Sequence, residues 1–367
     1  GDWDASGQIP LREVHARRLD RFDAIDPTEG GKSDRQNVNL VYTYTPSAQE
    51  NWLVQLYGSR YKLTLFSNFT FFLGDPVRGD GINQDDSRIL YGGRVRYNRL
   101  WNLGNIPIQS TIGFETRNDD ADVGLFHQQK RRRLGATTKV DVEERSFSGY
   151  LQHEFFLREW LRFQVGLRGD FFLFDVNDCL PANATDATRI RGNTTDGIVN
   201  PKASLIFSPF HKNQLWRDSE VFVNFGMGYH SNDARDAVQP GGKPLARSTG
   251  GELGVRTNLR EKLDLAAALW LLDLDSELVF VGDEGTTEAS GPTRRWGVDF
   301  EARYPIFPWL LADLDLSFAD PRFRVTGEAI PLAPTLLMNG GLTALFGNGF
   351  SGALRARYLD DRPANED

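Results

Sequence analysis

What most limits the folding of this chain is that its charges and its large apolar side chains take turns. In the stretch from Gly250 to Gly285, GGELGVRTNLREKLDLAAALWLLDLDSELVFVGDEG, Leu253, Val255, Thr257 and Leu259 alternate with Glu252, Gly254, Arg256, Asn258 and Arg260. This period of two belongs to a strand with one apolar and one wet face. A tight turn is predicted near Glu261 and Lys262. A long second strand follows through Ala266, Ala268, Trp270, Leu272 and Leu274, with Asp273, Asp275 and Glu277 interleaved.

The pattern recurs along the chain. Strand-like stretches are predicted at 36–45, 51–73, 88–103, 107–118, 137–157, 160–176, 198–209, 219–232, 248–260, 263–282, 293–306, 308–320, 332–346 and 350–360, with no convincing amphipathic helix between them. Ile89, Tyr91, Val95, Tyr97 and Trp101 oppose Gly92, Arg94, Arg96 and Asn98. Leu161, Phe163, Val165, Leu167 and Phe171 oppose Arg162, Gln164, Arg168 and Asp170. Val221, Val223, Phe225, Met227 and Tyr229 oppose Asn224, Gly226, Gly228, His230 and Asn232.

Connections sort by length. Those near 46–50, 104–107, 159, 262, 307 and 347–349 are short, and 211–219 is somewhat longer. Those at 74–87, 119–136, 177–197, 233–247, 283–292 and 321–331 are long and polar. Alternating short and long connections mark an up-and-down barrel with tight periplasmic turns and large extracellular loops. An Arg or Lys on a lipid face near the midplane costs about 2–4 kcal/mol, so the charged faces are expected to line a lumen. Trp52, Phe69, Phe71, Trp101, Phe155, Trp160, Tyr229, Trp296, Trp309 and Tyr358 sit near strand ends, as interfacial girdles would.

Composition agrees. Mean hydropathy is −0.43, and no run of about 18 apolar residues exists for a helical span. A net charge of −8 argues against a nucleic-acid partner. The single Cys179 excludes an intrachain disulfide and a thiolate metal cluster. Residues 1–10, GDWDASGQIP, have neither the basic start nor the apolar core of a signal peptide.

NPKASLIFSP (200–209), LRFQVGLRGDFFLF (161–174), VFVNFGMGYHSNDARD (221–236), GELGVRTNL (251–259) and ELVFVGDEGTTEASGPTRRWGVDFEARY (277–304) resemble, in order and spacing, strand signatures of the β-barrel of TonB-dependent outer-membrane receptors. GDWDASGQIP with RFDAIDPTEGG (21–31) resembles an early extracellular loop of one branch. The resemblance implies a 22-stranded barrel with a plugged lumen. Such a transporter takes up siderophore-iron, cobalamin or a similar scarce ligand with energy from TonB. The partners implied are outer-membrane lipid and lipopolysaccharide, the TonB complex and a small-molecule ligand, with the protein a monomer.

The expected fold is thus an all-β, up-and-down antiparallel transmembrane barrel segment of about fourteen strands. The plug and some strands are expected to be missing, with 1–35 an extracellular loop, 36–360 strands and loops, and 361–367 the start of a further loop. The alternative function is a passive porin or structural barrel.

Candidate ligand-binding or lumen-lining residues are Arg94, Arg96, Arg168, Asp170, His230, Asn232, Glu252, Arg256, Asp273, Asp275 and Glu277. The last three are expected to form a lumenal acidic ladder opposite Arg256 and Glu252, with Leu253 to Leu259 and Trp270 to Leu274 facing lipid. Leu263, Leu265, Leu269 and Leu271 share the parity of those acids, so either the lower lumen is apolar or a bulge shifts the register near Leu271. His230 is expected more as a strand-end hydrogen-bonding residue than as a ligand contact. Lys130 to Arg133 is expected to be a solvated charge run in a long outer loop. No catalytic motif or cofactor site is found. HEFFL at 153–157 is not HExxH, and no Ser/His pair for a barrel lipase is evident.

Overall fold

The computed structural model describes residues 1–367 except 6–8, 183, 185–187, 211–212, 214–215, 217–218, 261, 282–285 and 363–367; the side chains of 277–290 also lie outside the described set. No described helix is long and apolar enough to cross a membrane.

Among the described residues one antiparallel sheet runs in sequence order through fifteen strands, and a separate pair forms a second small sheet. The strands are β1 (Asp2–Asp4), β2 (Gly30–Ser47), β3 (Glu50–Ser67), β4 (Ile82–Leu103), β5 (Ile106–Gln129), β6 (Arg132–Arg158), β7 (Leu161–Asp178), β8 (Gly192–Phe207), β9 (Glu220–Ser231), β10 (Leu245–Leu259), β11 (Leu263–Leu274), β12 (Glu277–Val281), β13 (Thr286–Ser290), β14 (Thr293–Phe307), β15 (Leu310–Phe323), β16 (Leu336–Leu345) and β17 (Ser351–Leu359). Two short helices, α1 (Leu11–His15) and α2 (Ala234–Ala237), lie in loops. Sequential antiparallel pairing with tight turns at one end is the up-and-down arrangement the alternation predicts.

Several boundaries differ from expectation. The segment 119–136 is not a loop: β5 and β6 run for 24 and 27 residues and meet at a turn whose Lys130 and Arg131 take φ of 53° and 63°. Two consecutive left-handed residues match the twist of the flanking strands. About 9–11 residues cross a bilayer, so this hairpin projects well beyond it. The stretch 263–282 is not one strand, because β11 stops at Leu274 and residues beyond it enter the β12–β13 hairpin. Strand β3 stops at Ser67, which leaves Phe69 and Phe71 in a loop rather than a girdle. The first sheet begins earlier than residue 36, since β2 starts at Gly30 and is paired by β1.

Cross-strand partners share a face, so register assigns inside and outside. Leu253 sits opposite Val223 and Leu269, and Leu269 opposite Val298, which in turn faces Phe318; this is the apolar outer wall. Glu252 sits opposite Asn224 and Trp270, on the inner wall. The β10–β11 ladder is unbroken from Ser248↔Leu274 to Leu259↔Leu263, so there is no bulge near Leu271. Strand β11 is therefore reversed relative to expectation. Leu263, Leu265, Leu269 and Leu271 face outward, while Trp270 and Leu272 face the lumen. Gly297 permits this, because a Cβ there would run into the Trp270 ring and the Phe318 carbonyl.

Girdle aromatics gather at the short-turn end. Trp52 and Tyr97 stand 4.4 Å apart, Trp160 meets Phe207 edge-on, and Phe307, Trp309 and Phe346 stack in series. Tyr229 leaves the girdle and packs edge-on against Phe172 at 5.7 Å.

Candidate functional site in the lumen and its outer mouth

The inner wall brings many of the candidate residues into ionic chains. On β7, Arg168 donates to Glu115 at 3.0 Å and to Asp170 at 2.9 Å, and its guanidinium lies 5.8 Å from the Tyr150 ring. Asp170 is only 4% exposed, which Arg168 makes tolerable because a buried carboxylate needs a charge-assisted partner. Arg94 takes its place beside this group, opposite Gln55 and Glu115. Arg96 follows two residues along, with a buried Nε that has no partner among the described residues. Lower on the same face, Arg256 donates to Glu220 at 2.7 Å. Glu220 also accepts from Arg162, and Arg162 reaches Glu154 at 2.9 Å. Glu252 accepts from Asn224 at 3.2 Å.

His230 and Asn232 act together at the top of β9. The imidazole Nε2 lies 2.9 Å from the Asn232 amide oxygen, and the Asn232 amide donates to the Lys243 carbonyl at 2.6 Å. They fasten the two ends of the 232–244 loop, the strand-end role expected for His230.

That loop narrows the mouth. Ala234 of α2 packs into a cluster of Val140, Phe172, Phe174 and Val176 that joins the loop to β6 and β7. Asp233 caps the helix by accepting the Arg235 N–H at 2.8 Å, and the Arg235 guanidinium folds back onto it at 2.6 Å. Burial works to raise the Asp233 carboxyl, but the Arg235 hydrogen bonds and charge hold it below the usual carboxylate range. Beside α2 is a cavity of about 230 Å³ lined by Asp86, Arg88, Asp119, Glu144, Asp233 and Arg235. Arg88 spans Asp86 at 2.9 Å and Asp119 at 3.2 Å. Glu144 lies fourteen residues above Arg158, the lower end of β6, and burial pushes its carboxyl up. Sequence reading did not single out Arg88, Glu144 or Arg235. The signal was present in VFVNFGMGYHSNDARD, where the acid–Ala–Arg of an N-cap follows a strand.

Among the described residues the acidic ladder does not form. Asp273 shares the outward face of Leu271 and pairs with Arg294 through two hydrogen bonds of 2.7 Å each. Asp275 lies past the end of β11, exposed, with its N–H on the Arg247 carbonyl. The side chain of Glu277 is outside the described residues. Two-residue periodicity alone cannot choose a face, and the pairing of β11 with β10 and β14 chose the other one.

The basic run is exposed along its length, yet two of its members are engaged. Arg131 holds the start of the chain through Asp4 at 2.7 Å and the Thr28 carbonyl at 2.8 Å. Arg133 bonds Asn83 and Asp85 and lies 4.0 Å over Phe126. A Ser/His pair also exists. Ser110 Oγ is 2.8 Å from His153 Nδ1 on the outer wall, and Trp101 donates to the same oxygen at 2.7 Å. Among the described residues no carboxylate orients His153, so the geometry is that of a girdle hydrogen-bond cluster rather than an activated nucleophile. Groups of three or more metal-binding side chains are likewise absent among the described residues.

Residues 2–367 match the family model described as TonB dependent receptor-like, beta-barrel. No curated protein matches. Similar solved structures include the ferric citrate transporter FecA in unliganded form (TM-score 0.77, 14% identity, 98% of this chain and 52% of that one). Another is the siderophore receptor PiuA from Acinetobacter baumannii (0.70, 12%, 90% and 55%). The copper transporter OprC is a third (0.70, 16%, 92% and 54%). The chain thus spans about half the length of these structures. Members of the matched family are outer-membrane transporters of Gram-negative bacteria and not enzymes. With its fifteen-stranded up-and-down sheet and a match along nearly its whole length, the chain belongs to the β-barrel family of TonB-dependent receptors.

Proposed function

We propose that this barrel serves to import a scarce metal-bearing chelate across the outer membrane, with energy coupled through TonB. The observation that carries the reading is the mouth, where the α2 loop, stiffened internally by the Asp233–Arg235 pair, is anchored on a charged inner wall by Ala234 in the Phe172–Phe174 cluster. A receptor that holds its ligand before transport needs a narrowed, polar entrance, and the anchored loop provides one. Arg88 and Arg235 at the mouth, then Arg94, Arg96 and Arg168 deeper in, present guanidinium groups suited to carboxylate or catecholate oxygens of a chelator. Similar structures named for ferric citrate, siderophore and copper support an iron or copper chelate over cobalamin or a glycan.

The test is uptake of radiolabelled ferric citrate, ferric catecholate and copper chelates by cells with and without the energising inner-membrane complex. Import of one of them that disappears without the complex supports the reading. Diffusive entry that is indifferent to the complex means a porin.

A further inference from the structure

The reversal of β11 places charge on the outer wall, where lipid should be. On β14 the eleven steps from Phe307, in the short-turn girdle, up to Trp296 stay on a single strand. At about 3.3 Å per residue and a tilt near 45°, they climb roughly 25 Å, the height of the apolar band of an outer-membrane barrel. Trp296 therefore stands at the outer edge of the hydrocarbon, edge-on to Phe318 at 5.6 Å. Arg294 lies two residues above it on the same face, and Arg322 faces Arg294 across the β14–β15 ladder. These guanidinium groups sit at the level of the outer-leaflet head groups.

The local carboxylates orient the arginines without exhausting them. Arg294 gives Nε and Nη2 to Asp273, each at 2.7 Å. Arg322 gives Nε to Asp320 at 2.8 Å and Nη1 to the Gly327 carbonyl at 3.0 Å. A guanidinium has five N–H donors, so three remain on each. Trp296 Nε1 holds the other Asp320 oxygen at 3.2 Å. Arg324 joins them at the rim of a groove of about 470 Å³ between Trp296, Asp320 and Gly327. The side chains of Arg294 and Arg322 are 51% and 55% exposed. Among the described residues, three cations against two carboxylates, fixed above an aromatic floor, suit a ligand with an anionic oxygen cluster above and acyl chains below.

We propose that Arg294, Arg322 and Arg324 form an outer-wall site for the phosphate of an outer-leaflet glycolipid head group, with Trp296 and Phe318 supporting the sugar and upper acyl chains. The site is on the opposite side of the wall from the lumen and does not depend on what the barrel imports.

The experiment uses the receptor purified from outer membranes as its whole polypeptide and placed in phosphatidylcholine nanodiscs. Bisphosphorylated lipid A, dephosphorylated lipid A and inorganic phosphate are the probes, and lipid retained per barrel is read by native mass spectrometry. The expected result is retention of bisphosphorylated lipid A that falls about tenfold in the triple variant R294Q/R322Q/R324Q, to the level of the dephosphorylated lipid. R99Q, a change at an outward arginine near the opposite rim, should leave retention unchanged. The triple variant must still run as the same heat-modifiable band; if it does not, the single variant R324Q, which breaks no ion pair among the described residues, is measured and should lose part of the retention. Equal retention by wild type and the folded variant would overturn the site. So would displacement of lipid A by millimolar inorganic phosphate, which would make it a free-phosphate site.

Discussion

Asp233 shows how one side chain can hold a loop. It caps α2 and receives Arg235, while Ala234 beside it is buried at 5% exposure. Replacing it with Ala should cost about 1 kcal/mol, the usual worth of an N-cap, and raise protease nicking of 232–244 several-fold. The pH dependence has a definite sign. Because the folded carboxyl is held below its ordinary value, the stabilisation is complete above that value and disappears as pH falls through the folded one. Glu144 acts in the opposite sense: its carboxyl is raised by burial, so docking beside it weakens as pH rises from the ordinary Glu value through the folded one. Nicking measured from pH 3 to 7 should therefore show a loss of protection in acid for the wild type that D233N lacks. Residues of this kind were legible only in part. His230 was placed at a strand end from its position in GYHSND, but Arg88, Glu144 and Arg235 meet from β4, β6 and a loop, and no local pattern joins them.

Among the elements, β11 and the β5–β6 hairpin are instructive. LDLAAALWLLDL is apolar at nearly every position, so both faces satisfy a hydrophobic count and the acids at its end misled the assignment. Its face is set by the neighbours: Trp270 can turn inward because Gly297 offers no Cβ in its way. Gly297→Val should force the ring aside and, by overpacking, destabilise the barrel by about 1–3 kcal/mol. The double variant G297V/W270A should recover the part of that loss owed to the ring and not the part owed to the Phe318 carbonyl, read as the temperature at which heat-modifiability disappears. If the double change were as damaging as the sum of the singles, the ring would not be the obstacle. The upper β5–β6 hairpin escaped notice for the converse reason. Past residue 118, NDDADV offers only Ala121 and Val123 to the buried face, too short an alternation to stand out, although it pairs in full register with the predicted strand through VDVEER as far as Leu125.

For the whole molecule, the sheet order runs from β1 to β17, and among the described residues its two ends do not pair with each other. Strand β17 has pairs on one side only, and β2 is covered by β1 over three positions. Exposed backbone groups are not tolerated in hydrocarbon, where only helices and closed barrels satisfy them. Residues 1–367 expressed alone are therefore expected to collect in inclusion bodies; recovery from outer membranes as a protease-resistant, heat-modifiable band would refute this. The sequence by itself determined most of the strands, their up-and-down order, the sorting of turns from loops outside 119–136, and the membrane setting. A period of two and alternating connection lengths are local and repeat many times. Only the tertiary structure decided which face of β11 looks inward, which acid answers which arginine, and that a loop is anchored on the inner wall of β6 and β7. Period two leaves two equivalent faces, and contacts between residues 20 to 130 positions apart are chosen by pairing and packing that no local stretch encodes.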